Sequence, residues 1–243
     1  MPRVPTRRVP VLSSRMFPLL LLGTVLLSPL ASCQSADREA AQVSLAQGDS
    51  AMNRLAYGEA AERYGEATAL APDFAEAYSR QGLALWAAQQ FEAAIPVLDR
   101  AIELDPDNAN AYYYRGSSHL ALDRFEESVG DLKAATDLGS LDPEDGRRAH
   151  HLRAVAFMNL ERYEDAIAAV SSAIEMQPDN AFYYIERARL YDFTGQTDAA
   201  IADYEAFLSR DDEGSLADEA RQRLAGLRGE VSPEPAASDS TRQ

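Results

Sequence analysis

Apolar and small residues along this chain recur at helical spacing, in paired stripes. Between Ala75 and Asn108, the residues Tyr78, Gly82 and Leu85 share one face. After a break at Ala88 to Gln90, a second stripe follows through Phe91, Ala94, Leu98 and Ala101. Small residues at Gly82 and Ala94 allow two helix backbones to approach, and larger residues beside them fill the remaining space. Pro106 ends the second helix, and Asp107 or Asn108 can cap the next. Read along the whole chain, the pattern predicts helices at about 39–53, 57–70, 74–87, 91–104, 108–121, 125–138, 146–159, 163–176, 180–193 and 197–209, with a final one at 215–227.

These helices come in pairs that repeat. Thirty-four residues upstream of the first unit, Gly48, Ala60, Tyr64, Ala67 and Pro72 stand in register; downstream, Tyr112, Gly116, Ser128, Leu132 and Ala135 do so. The next unit, offset by 38, carries His150, Ala154, Phe157, Ala166, Val170, Ala173 and Pro178. The last carries Tyr184, Ala188, Tyr191, Ala200 and Tyr204. The additional four residues read as one more turn of helix, because Gly139 is a stop signal and Asp142-Pro143-Glu144-Asp145 reads as a cap with acids on the positive helix end. Gly146 in that turn is expected to weaken it by ~1 kcal/mol and let it fray.

Residues at these places, in this period, resemble the tetratricopeptide repeat family. The resemblance covers roughly 38–212 and implies an all-α solenoid of five helix-turn-helix repeats, at about 41–74, 75–108, 109–146, 147–180 and 181–212. The helix at 215–227 would cap the stack, closing a repeat domain over 39–228. One departure is systematic. Gln47, Gln81, Arg115, Arg153 and Arg187 replace the family's usual Leu before the small residue, so that place is expected to be less buried than in the family.

The two ends differ in character from the repeats. Arg3, Arg7, Arg8 and Arg15 precede an apolar run from Met16 to Leu27, which is shorter than the ~20 residues a spanning helix needs. Leu30-Ala31-Ser32-Cys33 follows and resembles the lipobox of bacterial lipoproteins, which implies a signal peptide over 1–32, lipidation of Cys33 and a short tether over 33–38. An ordinary secretory signal that happens to end near a cysteine is the alternative. In a bacterium with two membranes, the same resemblance implies, from Gln34 in place of Asp, sorting to the outer membrane, facing the periplasm. Cys33 is the single cysteine, so no disulfide can form within the monomer. The tail over 229–243, with two prolines and small polar residues, is expected to be disordered.

Composition narrows the function. A net charge of −16 argues against a nucleic-acid partner, which would need a basic face. No nucleotide-binding, hydrolase or metalloprotease motif is present, so no catalytic residue and no cofactor is predicted. Of the three histidines, His119 and His150 occupy core places, and His151 has no second ligand at helical spacing, so no metal site is predicted either.

What the family resemblance implies instead is a concave groove lined by the first helices of successive repeats. Its family places fall on Asp49, Glu76, Trp86, Tyr113, Arg148, His151, Phe182 and Arg189, with Leu45, Met52, Leu83, Asn110, Val155 and Phe193 beside them. Among these, Tyr113 and Arg148 are expected to be exposed, whereas Trp86 and Phe193 can equally pack between repeats. The residues with which relatives clamp a C-terminal carboxylate are not reproduced. The expected function is a non-catalytic adaptor that binds a protein or peptide of the bacterial envelope, held at the membrane by its lipid. Two other readings stay open: a receptor for a soluble sugar or peptide stacked on Trp86, Tyr113 and Phe182, and self-association through an exposed end of the stack.

Overall fold

The computed structural model describes residues 29–229 and contains eleven helices among them. Helices α1 (Pro29–Asn53) and α2 (Tyr57–Leu70) form the first antiparallel pair. The second and third are α3 (Ala75–Ala87) with α4 (Phe91–Leu104) and α5 (Ala109–Ala121) with α6 (Phe125–Asp137). They are followed by α7 (Pro143–Asn159) with α8 (Tyr163–Met176) and α9 (Ala181–Phe193) with α10 (Thr197–Leu208). Helix α11 (Gly214–Leu227) packs on α10 and ends the stack. Each helix packs against the one before and the one after it, and α5 also touches α3 and α7 directly. That closer approach puts α3, α5 and α7 on the inner curve of the solenoid. The signal segment and the tail fall mostly outside the described residues, whereas residues 33–38, read as a tether, are part of helix α1.

Within each repeat, a small residue on the first helix lies against a large one on the second. A Cβ added to Gly82 would lie 2.3 Å from Leu98 Cδ2, and one added to Gly48 would lie 2.4 Å from the Tyr64 ring. Leu98 and Tyr64 are both fully enclosed, so these two helix pairs can close only around glycine. In the fourth and fifth repeats Ala154 and Ala188 take the same place, in clusters with Val170 and Tyr204.

The turns inside the repeats share a geometry that their sequences do not advertise. Leu55, Gln89, Asp123 and Glu161 have φ of 57 to 59°, and Gly195 has 74° at the equivalent place. The next amide then reaches back to close the helix, as in Gln90 N to Leu85 O at 2.9 Å and Gln196 N to Tyr191 O at 2.8 Å. This bond satisfies a carbonyl that the helix end leaves free.

Helix α7 is 17 residues long against 13 for α3, α5 and α9, so the extra turn is real. Asp142 caps it by accepting from Glu144 N and Asp145 N, both at 2.9 Å. Gly146 does not fray this turn. It is buried, and a Cβ there would approach Met176 Cε to 3.0 Å, so the glycine makes room for a side chain of α8.

The polar place before the small residue is neither apolar core nor free surface. Arg115 bridges two outer helices, donating to Asp99 on α4 at 2.6 Å and through two bonds, at 2.8 and 2.6 Å, to Asp131 on α6. Arg187 repeats the arrangement with Ser171 at 2.9 Å and Asp203 at 2.6 and 2.9 Å. Arg153 lacks it. Ala169 occupies the place of the second carboxylate, the Arg153 Nε has no partner, and burial lowers the guanidinium's pKa.

Burial also lowers the pKa of His119, His150 and His151. A depressed histidine favours the neutral form in the folded state, so its contribution to stability is complete above the ordinary value of ~6.5 and is lost progressively as pH falls from there through the lowered folded value. Thermal unfolding midpoints are therefore expected to drop between neutral pH and the carboxylate range. Replacing His151 by Gln should flatten that slope; an unchanged profile would contradict the burial of its ring.

Candidate functional site

Two clefts lie next to each other on the inner curve, both built by α3, α5 and α7. The first, of about 510 Å³, is lined by Glu76, Arg80, Asp105, Tyr114, Asp142 and Asp145, with Leu83, Asn108 and Asn110 around them. Four carboxylates face one guanidinium. Arg80 is itself committed, to Asp49 on α1 and to Glu76 at 2.6 Å. Burial, followed by the charge of Asp142, raises the pKa of Asp145. The same field reaches the tyrosines: burial and then Asp145 raise the Tyr113 phenol to about 12 and push that of Tyr114 higher still.

The second cleft is an apolar slot of about 340 Å³, walled by Trp86, Phe91, Leu120, Ala121 and Leu152. Ser117 also lines it; this residue is 6% exposed, and its hydroxyl has no hydrogen-bond partner. Cleft and slot meet where the Trp86 and Tyr114 rings stack at a tilt, with centroids 5.2 Å apart. Asp142 and Asp145 reach the cleft because the extra turn of α7 carries them over it.

Residues expected to line one groove are divided among several environments. Glu76, with Leu83 and Asn110, lines the acidic cleft, and Trp86 lines the slot. Tyr113 is a correction: it is 2% exposed and belongs to the core with Leu132, Ala135 and Ala149. The small Ala149 on α7 leaves room for the ring to turn inward, and Tyr114, the next residue, lines the cleft half-buried. A ligand therefore cannot stack on Trp86, Tyr113 and Phe182 together.

The charged members are mostly engaged. Arg148 is exposed but held on its own helix by Glu144 and, at 3.7 Å, by Asp145. Asp49 accepts from the Tyr64 hydroxyl at 2.7 Å as well as from Arg80. Arg189 ties α9 to the cap helix through two bonds to Glu219, at 3.0 and 2.7 Å, and also contacts Glu186. His151 stacks on Phe182 at 5.4 Å and near Tyr183 at 6.0 Å, beyond the two clefts. Phe182 is 42% exposed and Phe193 69%, which settles Phe193 as a surface residue.

Asp105, Tyr114, Asp142, Asp145, Leu120 and Leu152 were missed as site residues. Asp142 and Asp145 carried a signal, since a Pro143 that starts a longer helix also places its flanking acids beyond the neighbouring helix ends. Nothing in the local sequence marks Tyr114 over Tyr113. Among the described residues no group of three or more His, Cys, Asp and Glu side chains converges as a metal site. No helix among them is long and apolar enough to cross a membrane.

Solved structures share this architecture. MamA from Desulfovibrio magneticus RS-1 is 20% identical, with a TM-score of 0.61 over 76% of this chain and 96% of that one. Pseudomonas aeruginosa PilF is 17% identical, with a TM-score of 0.63 over 80% and 87%. YrrB, described as a TPR protein with an unusual peptide-binding site, is 16% identical, with a TM-score of 0.65 over 80% and 98%. At these identities the likeness concerns the fold. The tetratricopeptide repeat model matches residues 45–109, 79–143 and 113–181, a second model of the same repeat matches 152–225, and the chain therefore belongs to the tetratricopeptide repeat family.

Proposed function

We propose that this protein is a non-catalytic adaptor of the bacterial cell envelope that holds a segment of a protein partner in the groove across α3, α5 and α7. The observation that carries this reading is the pairing of an acidic cleft with an apolar slot on one inner surface. Interfaces draw their energy from a few aromatic and apolar anchors surrounded by polar contacts, and Trp86 beside Tyr114 supplies such an anchor. Proteins of this family serve protein–protein interaction, and a peptide-binding site is described for YrrB, which shares the fold. Cys33, acylated after removal of residues 1–32, would tether the repeats to the outer membrane, facing the periplasm.

Affinity capture from crosslinked envelopes tests this reading, with the native protein compared against a Trp86→Ala, Asn110→Arg double variant of unchanged helicity. Recovery of the partner is expected to fall about tenfold or more. Equal recovery with both proteins would move the working surface away from the groove. In parallel, Cys33→Ser should release the protein from the membrane fraction; retention there would reject the lipid anchor.

A further inference from the structure

The adaptor reading leaves open what kind of segment the groove accepts, and the inner surface narrows the choice. Acidic residues alone would not define a ligand. Here they adjoin an apolar slot walled by Trp86, Leu120 and Leu152 on the same three helices, so one bound segment can engage both. Asp105 and Asp142 have no basic partner within 4 Å among the described ion pairs, so the cleft keeps negative charge that the protein does not neutralise. Its carboxylates do not converge as a metal site. They suit a guanidinium or ammonium group on a flexible arm. A second copy of a chain of net charge −16 offers the wrong sign.

Spacing is fixed three times over. On α3 the cleft uses Glu76 and Arg80 and the slot uses Trp86 and Ala87; on α5 the cleft uses Asn110 and Tyr114 and the slot Ser117 and Leu120; on α7 the cleft uses Asp145 and the slot Leu152. The centres are roughly seven positions apart, or ~11 Å along a helix. An extended segment covers that distance in about three to four residues.

Resting on the adaptor reading of this groove, we propose that its occupant is an extended, basic protein segment with an Arg or Lys and a large apolar side chain about three to four residues apart. The cation enters the acidic cleft and the apolar group fills the slot against Trp86. The main chain between them crosses the Trp86–Tyr114 pair.

Trp86 is the only tryptophan, so its emission reports on the slot directly. The purified full chain would be titrated with a tryptophan-free synthetic peptide that carries Arg and Phe four positions apart in a Gly/Ser background. A saturable change in Trp86 emission is expected. Affinity should weaken about tenfold or more when the Arg is replaced by Glu, and comparably for an Asp105→Asn, Asp145→Asn variant, which retains the Asp142 cap. Asn110→Arg, at an exposed position, provides a second route to the same loss should the double variant misfold. Moving the Arg to ten positions from the Phe should also weaken binding. No saturable change, or equal affinity for the Glu peptide, would overturn the proposal. So would saturation by a peptide of the chain's own residues 230–243, or a response that tracks dimer formation in light scattering. If the peptides fail while envelope capture still depends on the groove, this chemistry falls and the adaptor reading survives. If capture is independent of the groove, both fall.

Discussion

Leu98→Ala is expected to lower the unfolding free energy by about 3–4 kcal/mol, in the middle of the range for fully buried leucines. Leu98 is 0% exposed and its side chain lies directly over Gly82, where an added Cβ would be 2.3 and 2.4 Å from Leu98 Cδ2 and Cγ. The cavity left by Leu98 thus opens toward a backbone that carries no side chain to fill it. Gly82→Ala alone is expected to cost about 1–3 kcal/mol through overpacking, less the ~1 kcal/mol that Ala gains over Gly as a helix former. In the double variant, the new methyl group occupies space that Leu98 vacated, so the cost should be smaller than the two single losses combined. Urea denaturation of the three variants, followed by circular dichroism and by Trp86 emission, measures this coupling. Additive losses would show that Gly82 and Leu98 do not share one space. Because Trp86 sits in the same repeat, a transition seen there before the helical signal changes would indicate that this repeat opens on its own.

Asp203→Asn should be the most damaging charge substitution, at about 2–4 kcal/mol, because it leaves a largely buried guanidinium without its carboxylate. The Arg187 side chain is 19% exposed and that of Asp203 8%, and two of the three Arg187 bonds go to this residue. Ser171 remains, but a neutral hydroxyl does not replace a charge. Arg115 should suffer less from the loss of Asp131, since Asp99 also holds it. Replacing Arg187 and Asp203 together by leucine should restore most of the stability, because two desolvated charges are then exchanged for apolar contact. If the double variant is as unstable as Asp203→Asn, the pair contributes more than the cost of burying it. Thermal unfolding at neutral pH would separate the two outcomes.

Much of this architecture was legible in the sequence, because the repeat states each rule several times over. Small residues at Gly48, Gly82 and Gly116 and prolines at Pro72, Pro106 and Pro178 mark close approach and helix ends by local chemistry alone. The helices α2, α4 and α8 begin and end where the pattern places them. The longer α7 followed from an insertion flanked by Gly139 and Pro143. The turns were less visible. Their left-handed residues include Leu55, Gln89 and Glu161, none of which announces positive φ, and the closing amide bond holds them there.

The site divides along the same line. The sequence by itself determined that paired helices form and repeat, and its resemblance to the repeat family implied an inner curve supplied by the first helix of each pair. Only the tertiary structure decided which side chains reach that curve. Successive residues on a helix point ~100° apart, so a small rotation set by neighbours exchanges one aromatic for the next. Ala149 lets Tyr113 sink into the core and Tyr114 takes the cleft; the register of α7 over α5 turns Asp142 and Asp145 from capping residues into its acidic wall. Those outcomes depend on contacts between residues far apart in the chain, which no local pattern encodes.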